Sequence, residues 1–106
     1  MVSFKEFKRL DIRIGTVTEI EKVKGSDKLY KLQVDLGDEM RQIITGLVDY
    51  YSEDELLGLQ IPVVLNLKPA KIFGQMSYGM LLAAEKDPDL SLLTVDKKIA
   101  NGAKIT

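Results

Sequence analysis

The sequence contains neither cysteine nor histidine. Without cysteine there is no disulfide and no thiolate metal site. Without histidine, zinc sites, imidazole general bases and Ser/His triads are excluded with it. No stretch approaches the ~20 apolar residues of a membrane span, and no signal peptide pattern opens the chain. These absences predict a soluble, cytoplasmic protein with no membrane partner and no cofactor. Charge of one sign is also missing locally: from Ile61 to Ala84 there is no acidic residue, and the only charges are Lys68 and Lys71.

What is present fits one domain. At 106 residues and 45% hydrophobic, the chain has room for a single core. Sixteen acidic residues against fifteen basic give a net charge of -1 and a pI near 5.4. That balance argues against indiscriminate coating of nucleic acid and leaves room for a local patch.

Ser3-Phe4-Lys5-Glu6 fits a capping box, and Phe4, Phe7 and Leu10 recur at helical spacing. A short helix is expected to lie on the body through that stripe, plugging a barrel end or meeting another subunit. Asp11 to Val23 alternates imperfectly, as a long strand with a bulge at Gly15 would. After a turn at Lys24-Gly25-Ser26-Asp27 comes a second strand, with Tyr30, Leu32, Val34 and Leu36 on one face. Gly37-Asp38 makes a hairpin turn into a third strand, Met40 to Leu47. Ser52-Glu53-Asp54-Glu55 is a second capping box, opening a helix that Gly58 can close. That capped start accounts for the acidic run Asp49 to Glu55 without a metal. Strand four is Ile61 to Leu67, and strand five runs from about Gly79 to Ala84. A polar turn, Glu85 to Asp89, leads to a tail carrying Leu90, Leu92, Leu93, Val95, Ile99 and Ile105, with a hairpin turn at Asn101-Gly102. So many aliphatics must bury against something.

Three strands, a short helix and two more strands is the element order of an OB-fold, an all-β five-stranded barrel. Such barrels bind oligonucleotides on the face of strands two and three and through the loops after strands one and four. Here those loops are Lys24 to Asp27 and Lys68 to Tyr78. Lys22 to Lys31 holds four lysines and one aspartate, and the second loop has two lysines and no acid. The basic excess therefore falls where this fold binds, and we expect the acid-free loop to meet phosphate.

The side chains in and around these loops are the candidates. Lys68 and Lys71 can each neutralise a phosphate. Asn66 either meets RNA or caps loop amides, and Ser77 either donates to phosphate or stabilises the turn. Phe73 and Tyr78 either stack on an unpaired base or serve a core or subunit contact. Met76 and Met80 read as gap fillers, while Arg13 and Lys31 flank the face. The Gly74 to Gly79 spacing echoes a phosphate loop, but Met80 stands where its lysine would be. No activated nucleophile and base can be assembled, so no enzyme is expected.

Asp11-Ile12-Arg13-Ile14-Gly15, Asp27-Lys28-Leu29-Tyr30, Thr45-Gly46-Leu47, Asn66-Leu67-Lys68-Pro69 and the run from Gly74 through Ser77 to Gly79-Met80-Leu81-Leu82-Ala83-Ala84 together resemble one family. It is the tRNA-binding domain found at the C-terminus of methionyl-tRNA synthetases, as free-standing tRNA-binding proteins, as an archaeal synthetase beta subunit and in an endothelial-monocyte activating cytokine. The resemblance covers essentially the whole chain. It implies an OB-fold that binds tRNA largely by backbone and shape, and a homodimer built from the chain ends. It places Asn66, Lys68, Lys71, Ser77 and Met80 in the contact loop and Lys28 and Gly46 in supporting motifs. The core is then expected over about residues 10–84, with 85–106 as a dimerisation extension. The partners implied are tRNA and a methionyl-tRNA synthetase catalytic subunit. Starting at Met1, the chain reads as free-standing.

Three places depart from the family pattern. Its His-Pro-x-Ala reads Val23-Lys24-Gly25-Ser26, basic positions are Ala70 and Phe73, and acidic positions are Met76 and Tyr78. Two rival readings follow from relatives: a dimeric chaperone holding unfolded export precursors, which needs an apolar groove, and a cytokine-like activity from the segment Arg13 to Thr18. A buried first strand explains that segment better.

Overall fold

The computed structural model describes residues 1–106. In chain order the elements are α1 (Phe4–Phe7), β1 (Ile12–Lys22), β2 (Tyr30–Asp35), β3 (Met40–Thr45), α2 (Glu53–Leu56), β4 (Gln60–Val64), β5 (Ala70–Ile72), β6 (Gln75–Ser77), β7 (Met80–Leu81), β8 (Ala83–Lys86) and β9 (Asp89–Leu92). Strands in the order β3-β2-β1-β4-β7 form an antiparallel, nearly closed barrel, and β5-β6 and β8-β9 are separate ribbons. This is the all-β, OB-like architecture that the element order predicts.

Period-two alternation builds its interior. Tyr30, Leu32, Val34 and Leu36 are all buried, while Lys31, Gln33 and Asp35 between them are half-buried on the outer face. Val17, Ile43, Leu56, Ile61 and Val63 close the core around them. Each fully buried aliphatic contributes about 1.5–3 kcal/mol. Both predicted capping boxes form, with the Ser3 and Ser52 side chains accepting from Glu6 N and Glu55 N.

β1 corrects one expectation. Its pairing with β4 runs unbroken through Gly15, and the register slips between Val17 and Glu19. The parity change from Ile14 to Val17 has another origin, since both faces of this half of the strand are buried. Gly15 is needed for close approach: a β-carbon there would lie 2.5 Å from Val34 Cγ1 and 2.8 Å from Leu36 Cδ2. The bulge beyond Val17 then turns Ile20 against the core.

The chain ends also differ from expectation. Phe4 and Phe7 are 72% and 41% exposed, and α1 buries no residue, so the helix does not plug the barrel. Strand five is cut to Met80–Leu81 on β4, because from Ala83 onward the chain pairs with β9 instead. Leu92 joins the core and Leu90 packs on it, so the tail buries partly against its own barrel. Leu93, Ile99 and Ile105 stay exposed. Instead of forming a hairpin, residues 102–105 run along the start of β1. Gly102 N donates to Ile14 O, Ile14 N to Ala103 O and Ile105 N to Ile12 O.

Candidate nucleic-acid interface

The segment Lys68 to Tyr78, expected as an open loop, folds as a hairpin. β5 pairs antiparallel with β6, Lys71 opposite Met76 and Ile72 opposite Gln75. Phe73 and Gly74 form the turn at φ +53° and +79°, the positive pair that a two-residue I′ turn requires. The hairpin lies across β3. Ser77 is buried, its hydroxyl accepting from Ile44 N at 3.0 Å and donating to Gly79 O at 3.1 Å. Gln42 Nε2 donates to Met76 O at 2.9 Å, and Tyr78 N donates to Gln42 O at 2.8 Å. Arg41 Nη1 donates to both Leu65 O and Tyr78 O at 3.0 Å, fastening β3 to the end of β4.

Two of the five candidate cations stand free. Lys68 and Lys71 are exposed and have no carboxylate partner. The other three are engaged. Arg13 Nε donates to Asp11 Oδ1 at 2.9 Å, and Lys28 Nζ meets Asp49 Oδ2 at 2.5 Å. In each the hydrogen bond to the acid, then its charge, raises the pKa of the cation. Lys31 Nζ lies 2.7 Å from Glu21 Oε1, its cross-strand partner.

Asn66 does not cap the amides of its own loop. Its Oδ1 accepts from Asp11 N at 2.8 Å and its Nδ2 donates to Arg9 O at 2.6 Å, lashing the chain entering β1 to the end of β4. Ser77 stabilises the turn region, as one of its two readings has it. Phe73, Tyr78 and Met80 are 59%, 41% and 48% exposed, and all three are carried by the hairpin or the segment leaving it. Met76 is half-buried on β6.

The family described as "Putative tRNA binding domain" matches residues 12–104. The chain belongs to the tRNA-binding domain family. It is 51% identical over 105 residues to a methionine–tRNA ligase of Methanococcus vannielii, covering 99% of this chain and 16% of the ligase. The chain thus spans about one sixth of the length of such relatives. Among solved structures, a MetRS-related protein from Pyrococcus horikoshii superposes with a TM-score of 0.94 at 37% identity, covering 100% of this chain and 98% of that one. A chaperone CsaA from Bacillus anthracis superposes with 0.92 at 33% identity, covering 100% and 99%.

Within this tRNA-binding domain, sequence reading missed the residues that hold the hairpin in place. Gln42 and Arg41 act on backbone groups 34 and 37 residues away, and nothing in their local pattern marks them. The sequence pattern marks Gly25 only as part of a turn. At φ +87° it brings the loop after β1 against the hairpin tip: a β-carbon there would lie 3.3 Å from Phe73 Cε2. The two loops that the fold predicts for binding therefore meet. No group of His, Cys, Asp and Glu is placed to hold a metal ion, and no helix is long and apolar enough to cross a membrane.

Proposed function

We propose that this chain binds tRNA through the β5–β6 hairpin as a non-catalytic accessory module of methionyl-tRNA synthetase, either as a beta subunit or as a free-standing partner in the cytoplasm. One observation carries this reading. Lys68 and Lys71 are exposed, without carboxylate partners, in a window of 24 residues free of acid. Such ammonium groups are open to phosphate, and each phosphate neutralised adds about -0.9 to the dependence of log K on log salt for duplex and about -0.7 for single strands. Tethering tRNA near a catalytic subunit raises its local concentration with no new chemistry. The exposed Phe4, Phe7 and Leu10 at one end of the chain and Leu93, Ile99 and Ile105 at the other are the apolar surface on which a homodimer would close. Salt-titrated binding of whole tRNA tests the reading: affinity should fall steeply with salt. No binding at low ionic strength would end it.

A second reading is a chaperone that holds unfolded precursors. It is favoured by the exposed Phe73, Tyr78 and Met80 and by the full-length likeness to a chaperone structure. An unfolded peptide that binds more tightly than tRNA would reverse the order.

A further inference from the structure

We infer that the hairpin tip is a platform for an unpaired nucleotide, whose base stacks on Phe73 while Gly25 positions the ring from the loop after β1. The inference rests on the RNA-binding reading and names the part of the RNA that this hairpin takes.

Three observations converge on Phe73. First, it holds a left-handed backbone, φ +53°, which an L-residue enters at a cost and which asparagine or glycine fills readily. Second, burial does not compensate, because the residue is 59% exposed. Neither the turn nor the core accounts for a large aromatic here, and such local conflicts mark functional positions. Third, the ring meets the loop after β1. Its Cε2–Cζ edge lies against Gly25, where a β-carbon would stand 3.3 and 3.8 Å away. Gly25 meets two demands at once, a φ of +87° and room for the ring.

The surroundings specify the ligand. Lys24 adjoins Gly25, and Lys71 stands two residues before Phe73, about 7 Å along an extended strand. Like Lys68, both lack a carboxylate partner. An aromatic surface among free ammonium groups fits a base and its phosphates. Inside a helix each base face is hidden by its neighbours, so a protein ring finds one chiefly at unpaired loops, bulges and overhanging ends. The substrate class is RNA presenting an unpaired nucleotide.

The test compares a short single-stranded RNA with a blunt duplex of equal length, each titrated with salt. Phe73→Ala should weaken single-strand binding about 5- to 150-fold, the effect of one base stack, and duplex binding less than about 2-fold, with the salt slope unchanged. Phe73→Trp should retain affinity. As the only tryptophan in the chain, it should be quenched by the single strand and not by the duplex. Gly25→Ala should weaken single-strand binding in the wild-type background and change nothing further beside Phe73→Ala. Equal losses on both RNAs, or no loss with Phe73→Ala, would overturn the inference. So would a loss confined to an unfolded peptide. If Lys68→Ala with Lys71→Ala still flattens the salt slope while Phe73→Ala is silent, the RNA-binding reading survives and this one does not.

Discussion

Two pairs of lysines look alike in the sequence and differ in the fold. Lys28 and Lys31, flanking the start of β2, are held by Asp49 and Glu21. Lys68 and Lys71, on and before the hairpin, are held by nothing. Both pairs lie where an OB barrel binds nucleic acid. The first pair is engaged by acids on β1 and in the turn after β3, and the second pair stays available. Position in the fold nominates a cation, and its neighbours decide whether it is free.

The comparison can be broken most strongly by releasing the hairpin from the barrel. Ser77→Ala removes the hydroxyl that satisfies Ile44 N in a buried setting, where an unpaired group costs about 1–3 kcal/mol. Urea denaturation should show that loss, with faster amide exchange at Ile44. Next comes Lys68→Ala with Lys71→Ala, which should shallow the salt slope of tRNA binding by about 1.4 to 1.8, the sum of two phosphate contacts, and leave the urea midpoint unchanged. An unaltered slope would remove both residues from the interface.

Glu21→Gln with Asp49→Asn sharpens the contrast from the other side by freeing Lys31 and Lys28. We expect a salt slope steeper by less than ~1, since those ammonium groups gain freedom without a new ligand-facing position. The smallest effect lies inside the barrel. Burial, then the charges of Glu53 and Glu55, raises the pKa of the Tyr30 hydroxyl, which donates to Tyr51 O at 2.7 Å. The folded value exceeds the unfolded one. Its contribution to stability is therefore complete below the ordinary tyrosine pKa and is lost as pH rises through the raised value. Alkaline denaturation should show this, and Tyr30→Phe should abolish that part of the pH dependence.

The barrel was largely legible because its strands obey a local rule. Tyr30, Leu32, Val34 and Leu36 alternate with polar residues, and Ser3 and Ser52 each stand three residues before a glutamate. Misreadings arose where the cause was distant. Ile12 and Ile14 appeared to need a bulge at Gly15 because alternation assumes one buried face, and here both are covered. The hairpin was hidden because its turn is Phe73-Gly74 instead of a pair that favours positive φ at both positions. The candidate site was legible as a location and not as a set of free side chains. Glu21 reaches Lys31 only through strand register, and Asn66 reaches Asp11 across 55 residues of chain. Nothing in the local pattern pairs Glu21 with Lys31, and no short window holds both Asn66 and Asp11.

The four residues at 102–105 have a protective consequence. Over Ile12 to Thr16, β1 pairs with β4, and its pairing with β2 begins only at Thr16. The side that would be bare is taken up by Gly102, Ala103 and Ile105. An uncovered stretch of this kind is a template for strand addition by another molecule. Flanked by Ile12 and Ile14, it would be a sticky one, so the tail acts as a built-in guard against aggregation.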